Sequence, residues 1–187
     1  MRKLIVWNLV TLDGHFEGTK SWDLEFHNLV WGDELERMSI EQLDTAGMLL
    51  FGRTTYEGMA AYWTTEKGEV AERMNAIPKA VFSRTLGRAE WNNTRLVKTD
   101  AAAAVAGWKR DSGKDLFIFG SARLIASLMP RGLIDEYRLG MVPVVLGGGT
   151  PLFRPEAGRL DLRLLEARPL RSGCVILRYA PIPVSPP

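Results

Sequence analysis

Short apolar runs alternate along this chain with longer segments in which apolar residues recur at helical spacing. Runs rich in β-branched and aromatic residues are typical of buried strands. Five of them predict strands over residues 3–11, 48–51, 79–83, 94–97 and 116–119. Helical spacing and helix-start signals predict helices over residues 39–47, 53–63, 69–75, 99–113 and 121–129. This alternation favours a largely parallel sheet.

Two of the predicted helix starts depend on capping residues. Ser39 and Gln42 have the spacing of a capping box, so a helix is expected from Ser39 to near Gly47. A long loop is then expected between the first strand and Ser39. Thr99 or Asp100 can cap the alanine-rich helix that follows.

The pattern changes after residue 132 to consecutive strands, predicted over residues 136–146, 160–164 and 174–179. Such strands pair antiparallel at one edge of a sheet. The predicted fold class is therefore α/β, with a mostly parallel central mixed sheet, antiparallel C-terminal edge strands and helices on both faces. The length of 187 residues suits one core, so we predict a single domain over residues 1–180 and a flexible proline-rich tail over residues 181–187.

The composition argues against several kinds of partner. The formal net charge of +2, from 24 basic and 22 acidic residues, leaves no dense basic stripe, so no nucleic acid is expected to bind. Asn8, Thr11 and Asp13 interrupt the first apolar run, which therefore predicts neither a signal peptide nor a membrane span. The single cysteine, Cys174, cannot form an intrachain disulfide or a cysteine-based zinc site, and a cytoplasmic location is expected.

Polar clusters follow three of the predicted strands. Two of these strands run through a glycine into a helix start, where exposed N–H groups and the helix dipole attract anions. Each glycine can equally be only a turn, and each arginine only a solvated side chain, but the combination favours phosphate binding at one edge of the sheet. The clusters are Gly120, Ser121, Ala122 and Arg123; Gly52, Arg53, Thr54 and Thr55; and Ser83, Arg84 and Thr85.

Two familiar signatures are incomplete. The G-x-G-x-x-G fingerprint is absent, and the glycines at 147–149 lead into Thr150 and Pro151 without a helix start, so we interpret them as a turn or bulge beside a ligand cleft. His15 and Glu17 match half of a zinc-deaminase motif, but the two-cysteine half cannot exist in a chain with one cysteine.

The segment after the first strand contains the residues available for acid-base chemistry and for stacking. Trp22 and Trp31 can wall an apolar pocket for a flat heterocycle, although core packing is the alternative for at least one of them. His27 is more often a packing or surface residue than a proton donor. Most carboxylates in such a segment are solvated, and those present are Asp13, Asp23, Glu25, Asp33 and Glu34.

Taken in order, the motifs of this chain resemble the dihydrofolate reductase-like superfamily. They are most similar to lone domains like the C-terminal reductase domain of the bifunctional riboflavin-biosynthesis deaminase-reductase. The second glycine that this family often has at a helix start is replaced by Ser121. The motifs that carry the resemblance lie at residues 11–14, 21–22, 51–57, 82–85, 118–124, 133–136 and 143–153.

The resemblance implies an NADPH site and assigns residues to it. Asp13 and Asp33 become candidates for the catalytic carboxylate, and Gly14 and Trp22 lie toward the substrate. Ser83 and Arg84 are expected near the 2′-phosphate of the adenosine. The nicotinamide is expected near Leu146, Gly147 and Gly148, and the pyrophosphate near Gly52, Arg53, Thr54, Thr55, Gly120, Ser121, Ala122, Arg123 and Leu124.

The function implied by the resemblance is hydride transfer from NADPH to a small heterocyclic substrate. The leading substrate is a ribosylaminopyrimidine, as in 5-amino-6-(5-phosphoribosylamino)uracil reductase. The alternatives are a dihydrofolate or pterin reductase, and a non-catalytic NADPH-binding sensor or assembly protein. The resemblance also suggests a homodimer, for which we predict a surface on the alternating residues Tyr137, Leu139 and Met141.

Overall fold

Strands and helices alternate through most of the computed structural model, which describes residues 1–183. The strands are β1 (Leu4–Thr11), β2 (His15–Glu17), β3 (Ala46–Gly52), β4 (Lys79–Phe82), β5 (Thr94–Val97), β6 (Asp115–Phe119), β7 (Glu136–Val142), β8 (Thr150–Pro151), β9 (Leu162–Pro169) and β10 (Val175–Pro181). The α-helices are α1 (Asp33–Asp44), α2 (Arg53–Trp63), α3 (Glu69–Ala76), α4 (Ala101–Arg110) and α5 (Ala122–Leu128).

Eight strands form one mixed sheet in the order β5-β4-β3-β6-β1-β7-β10-β9. The pairs from β5 to β7 are parallel, whereas β10 pairs antiparallel with both β7 and β9. A small second sheet pairs β2 with β8. The predicted α/β class, with a mostly parallel centre and an antiparallel C-terminal edge, is confirmed.

Two apolar cores lie on opposite faces of the main sheet, because alternate side chains of a strand point to opposite sides. In β1, Leu4 and Val6 pack in one core together with residues of α4 and α5. Ile5, between them, packs in the other core with residues of α1, α2 and α3. The prediction of helices on both faces is therefore confirmed.

The helix start predicted at Ser39 is wrong. The helix α1 begins at Asp33, directly after Gly32, and acidic residues in its first turn complement the positive end of the helix dipole. Ser39 instead lies inside the helix and donates its hydroxyl proton to Leu35 O at 2.8 Å. Gln42 turns toward the sheet, where its Oε1 accepts a hydrogen bond from Arg138. The expected long loop is correspondingly shorter.

Two predicted strands of the C-terminal half have different limits. The strand β7 ends at Val142 instead of residue 146, because Pro143 has no N–H to continue the ladder. The strand β9 covers Leu162–Pro169, shifted from the predicted 160–164. Of the leucines in the predicted alternation, Leu160 and Leu162 pack against the core, whereas Leu164 is 50% exposed.

The strand considered for a homodimer edge is not an edge strand. The strand β7 lies between β1 and β10, and Tyr137 and Leu139 are buried in the core that contains residues of α4 and α5. The outer strand on that side of the sheet is β9. The homodimer stays a prediction, but Tyr137 and Leu139 are not available for its interface. Within the predicted tail, Pro181 pairs with Leu162, and Ile182 N–H donates to Asp161 O; residues 184–187 lie outside the described part. None of the helices in the described range combines the length and apolar character needed to cross a membrane.

Candidate functional site

The junction between β6 and α5 has a left-handed backbone at two successive residues. Gly120 has a φ of +56°, and a Cβ atom there would lie 2.7 Å from Thr55 Cγ2, so only glycine fits without displacement. Ser121 follows with a φ of +61°, which is unusual for a residue with a side chain. The junction therefore brings the start of α5 against the start of α2.

Hydrogen bonds within the chain occupy the N–H groups at the tip of this junction. Gly120 N–H donates to Asn8 Oδ1 at 2.8 Å, and Ser121 N–H donates to Thr55 Oγ1 at 3.0 Å. The Ser121 hydroxyl accepts a hydrogen bond from Gly52 N–H, also at 3.0 Å. An anion at this place would consequently meet the N–H groups of the first turns of α2 and α5, which have no acceptor inside their helices.

A cavity of about 690 Å³ opens between these two helix starts, and we call it the helix-start chamber. Its size lies within the range of small-molecule and cofactor sites. The predicted pyrophosphate residues line it together, although they come from distant parts of the sequence. They are Gly52, Arg53, Thr54, Thr55, Gly120, Ser121, Ala122, Arg123 and Leu124.

Three arginines line the helix-start chamber together with one carboxylate, that of Glu17. Two of the arginines are paired with neighbouring glutamates, Arg53 with Glu57 and Arg154 with Glu156. Arg53 is held at the chamber rim by Glu57, at 2.8 Å, and by the Thr85 hydroxyl, at 2.9 Å. Arg123 and Arg154 line the same chamber from the opposite side. Because guanidinium groups bind phosphate oxygens through charge-assisted hydrogen bonds, this arrangement suits a phosphorylated ligand.

A second cavity, of about 430 Å³, adjoins the first, and we call it the tryptophan chamber. Aromatic side chains wall it, and these are Trp7, Trp22, Trp31, Tyr62, Trp63 and Phe119. The two chambers share a wall made of Asn8, Leu9, Trp22, Leu24, His27, Met59 and Gly120. A ligand in one chamber would therefore lie directly beside a ligand in the other.

Two polar side chains stand in the shared wall, of which Asn8 is buried and His27 is half-buried. Asn8 is only 6% exposed, and because its Oδ1 accepts from Gly120, its Nδ2 remains the donor. That Nδ2 has no hydrogen-bond partner among the described residues, and the same holds for His27 Nε2. Burial lowers the pKa of the His27 imidazole to about 4, so the ring is neutral at pH 7.

The backbone and ring of Trp22 are held by separate contacts. Trp22 has a φ of +63°, and its N–H donates to Glu17 Oε1 at 2.5 Å. The other Glu17 oxygen accepts from the Thr150 hydroxyl at 3.1 Å. The indole lies directly against Gly58 of α2, where a Cβ atom would come within 2.2 Å of the ring. The absence of a side chain at residue 58 thus sets the position of this part of the shared wall.

Asp13 ties together the loops after β1 and β7. Its carboxylate accepts hydrogen bonds from the Thr11 hydroxyl at 2.6 Å and from the N–H groups of Leu146 and Gly147. These bonds hold the pKa of Asp13 well below its usual range, and the bond from Thr11 has the largest effect. Gly14, with a φ of +86°, turns the chain beside it. Asp13 is an ionised anchor for the glycine segment and lines neither chamber.

Several other residues assigned from the sequence lie outside both chambers. Asp33 is exposed at the start of α1, so the structure does not bring this carboxylate to the site. Arg84 is also exposed, and Ser83 Oγ accepts from the N–H groups of its own turn at Thr85 and Leu86. Leu146, Gly147 and Gly148 are absent from the lining of both chambers, as is Gly14.

Other lining residues were missed or set aside at the sequence level. Asn8 interrupts an apolar run, and a lone polar residue in a buried strand is itself a signal of function or of a buried hydrogen bond. His27 was set aside as a packing or surface residue. Arg154 has no local signal, since only the folded chain brings it to the helix-start chamber.

Comparison with known proteins gives consistent matches over almost the whole chain. The family model of the RibD C-terminal domain matches residues 2–176. The uncharacterised protein YyaP of Bacillus subtilis is 33% identical over 187 residues, which cover 95% of this chain and 94% of YyaP.

Two solved structures are similar in fold. A protein from Shewanella sp. PV-4, described as a riboflavin biosynthesis protein, has a TM-score of 0.78 and 21% identity, with 97% of this chain and 99% of that chain covered. Dihydrofolate reductase from Enterococcus faecalis, solved with NADP(H) and RAB-propyl, has a TM-score of 0.64 and 14% identity, with 96% of each chain covered. The fold is therefore dihydrofolate reductase-like.

Proposed function

Because the chain belongs to the family of RibD C-terminal domains, we propose that it is a reductase that uses NADPH to reduce a planar heterocyclic substrate. The observation that carries this proposal is the pair of adjoining chambers, one lined by three arginines and one walled by aromatic rings. The phosphates of a dinucleotide cofactor need a surface with positively charged side chains. A flat ring needs an aromatic surface beside the cofactor.

The residues of the helix-start chamber fit the phosphates of NADPH. Two helix starts point free N–H groups toward it, and Gly120 lets the backbone approach where a Cβ atom would collide with Thr55. Arg53 and Arg123 would neutralise the pyrophosphate. We keep Ser83 and Arg84 as the proposed site of the 2′-phosphate, because Thr85 beside them bonds to Arg53 at the chamber rim.

Bound NADPH supplies a hydride, and a substrate C=N bond that accepts it takes up one proton to become CH–NH. The chain's part is to orient the two rings. No carboxylate of residues 1–183 lies in the shared wall, so we propose that the proton comes from solvent and not from Asp13 or Asp33. His27 is neutral there and serves as a hydrogen-bonding group.

Family membership favours a ribosylaminopyrimidine as the substrate, as in riboflavin biosynthesis. A dihydrofolate or other pterin is the second candidate, because the tryptophan chamber is walled mainly by aromatic rings. Both substrates present a flat nitrogen heterocycle, and both reactions use the same cofactor chamber.

Loss of NADPH absorbance with a panel of pyrimidine and pterin substrates tests the proposal. We expect turnover with at least one of them, and a lower rate with NADH at equal concentration. Binding of NADPH with no turnover on any substrate would instead favour a non-catalytic NADPH-binding protein. A failure to bind NADPH would refute both.

A further inference from the structure

The arginines that line the two chambers all belong to the helix-start chamber. Arg53, Arg123 and Arg154 line the helix-start chamber, whereas no lysine or arginine among residues 1–183 lines the tryptophan chamber. The single carboxylate in that lining is Glu25, an exposed residue with no ion pair in the described part. A phosphate group placed in the tryptophan chamber would therefore lack a counterion and would meet a negative charge.

A helix start does not replace the missing cation. The helix α1 lies beside the chamber, which its Leu35 lines. Its first turn carries Asp33, Glu34 and Glu36, so the carboxylates cancel the positive end of the helix dipole. Burying an unpaired phosphate beside these groups is strongly unfavourable.

Apart from the exposed Glu25, the polar groups that line this chamber are uncharged. Ser39 and Gln42 also line it, but their side chains already bond to Leu35 O and to Arg138. Asn8 Nδ2 is the buried donor without a partner, and its orientation is set by the bond from Gly120 to Oδ1. A buried donor without a partner is costly, so a ligand that offers an acceptor here removes that cost.

We propose that the tryptophan chamber binds an uncharged planar heterocycle that presents a carbonyl oxygen or ring nitrogen to Asn8 Nδ2, and that it discriminates against phosphate esters. This inference rests on the proposed function, since the cofactor occupies the adjoining chamber. It implies that the substrate of this chain differs from the phosphorylated ribosylaminopyrimidine that family membership favours. The substrate is then the unphosphorylated ribosylaminopyrimidine or a free pteridine-like base.

A matched ligand pair tests the charge argument on the wild-type protein. Calorimetric titrations use 5-amino-6-ribosylaminouracil with and without its 5′-phosphate, and lumazine as a free base, on protein saturated with NADP⁺. We expect the unphosphorylated member to bind at least tenfold more tightly than its phosphate ester. Equal or tighter binding of the phosphate ester, or no binding of any of the three, would overturn the inference.

The failure of the proposed function has a different signature. NADPH is titrated first on the protein alone; if it does not bind, the cofactor assignment fails. The same ligand pair is then titrated without nucleotide, and its order of affinity still reports on the tryptophan chamber. The cofactor assignment and the inference about the tryptophan chamber are therefore refuted by different experiments.

The role of Asn8 is tested by Asn8→Asp, which keeps an acceptor for Gly120 N–H and replaces the free donor by an acceptor. We expect lumazine affinity to fall at least tenfold. The control is Asn92→Asp, the same chemical change at an exposed residue outside both chambers. Unchanged lumazine affinity in Asn8→Asp would refute the contact. If that variant does not fold, the ligand pair on the wild type still decides the charge argument.

Discussion

The hydroxyl of Ser121 accepts a hydrogen bond from Gly52 N–H at 3.0 Å and so joins the two helix starts that flank the helix-start chamber. The same hydroxyl donates to Phe119 O at 3.0 Å. Ser121 makes both contacts from a left-handed backbone, with a φ of +61°. Side-chain bonding and backbone strain therefore oppose each other at one residue.

Substitutions at Ser121 separate these two effects. We expect Ser121→Ala to destabilise the protein by about 1–3 kcal/mol, because Gly52 N–H loses its acceptor and the strain remains. Ser121→Gly loses the same bonds but relieves the strain, so it should be more stable than Ser121→Ala by about 1 kcal/mol. Urea unfolding followed by circular dichroism measures both. Equal stabilities of the two variants would show that the strain is negligible.

Preference for NADPH over NADH should depend on Arg84, which lies outside the helix-start chamber, and not on Arg123, which lines it. We expect Arg84→Gln to weaken NADPH binding by about tenfold, as the loss of one charge-assisted contact implies, and to leave NADH binding nearly unchanged. Arg123→Gln should weaken both cofactors, because it is expected at the pyrophosphate. Fluorescence titration gives the four affinities. If Arg123→Gln alone changes the preference, the 2′-phosphate lies at α5 and not at the Ser83–Arg84 rim.

Lys79 stabilises the end of α3 from the buried strand β4. Its ammonium donates to the carbonyl oxygens of Met74, Asn75 and Ile77 at 2.7–3.0 Å. We expect Lys79→Met to lower the free energy of unfolding by about 2–3 kcal/mol, because charged hydrogen bonds are lost and carbonyl groups are left buried. Exposed Lys98→Met serves as the control in the same urea unfolding experiment.

The same lysine predicts a specific pH dependence. Burial lowers its pKa from 10.5 to about 8 in the folded protein. Between these values the unfolded chain binds more protons, so the contribution of Lys79 to stability rises as the pH increases from about 8 to 10.5. The stability difference between wild type and Lys79→Met should therefore grow from pH 7.5 to 9.5. A constant difference over that interval would contradict the lowered pKa.

His27 should stay neutral throughout the physiological range. Its pKa of about 4 in the folded protein means that its NMR signals should not titrate between pH 6 and 8. Because the chain contains two histidines, a His15→Gln variant assigns the signals. Unfolded chains bind a proton near pH 6.5, so His27 costs stability progressively as the pH falls from 6.5 toward 4. A midpoint near pH 6.5 for the assigned His27 signals would show that the ring is solvated.

Local patterns predicted the parts of the fold that depend on local chemistry. The glycine junctions at Gly52 and Gly120 were recognised because a strand that runs through a glycine into a helix is encoded within a few residues. They meet in one chamber because the carboxyl ends of parallel strands lie on the same edge. Family membership, read first from the ordered motifs, is confirmed by the match over residues 2–176.

The predictions from sequence were wrong or incomplete where tertiary contacts determine the position of a helix start or a side chain. The spacing of Ser39 and Gln42 is that of a capping box, but both side chains form hydrogen bonds elsewhere in the fold. The helix begins earlier, with the acidic turn that follows Gly32. Asp33 could not be placed from sequence, because whether a helix-start carboxylate faces a cleft or solvent depends on the packing of the whole helix. The polar role of Asn8 likewise depends on Gly120, which lies 112 residues away along the chain.

The contact between Trp22 and Gly58 has a consequence for how this protein can diversify. Gly58 is absent from the lining of either chamber, yet the lack of its side chain determines how far the indole reaches into both. Adding a methyl group at residue 58, as in Gly58→Ala, would displace the indole in the shared wall without altering any residue that lines a chamber. Selection for new substrates, in nature or in a mutant library, can therefore act through a helix position that no survey of ligand contacts would include.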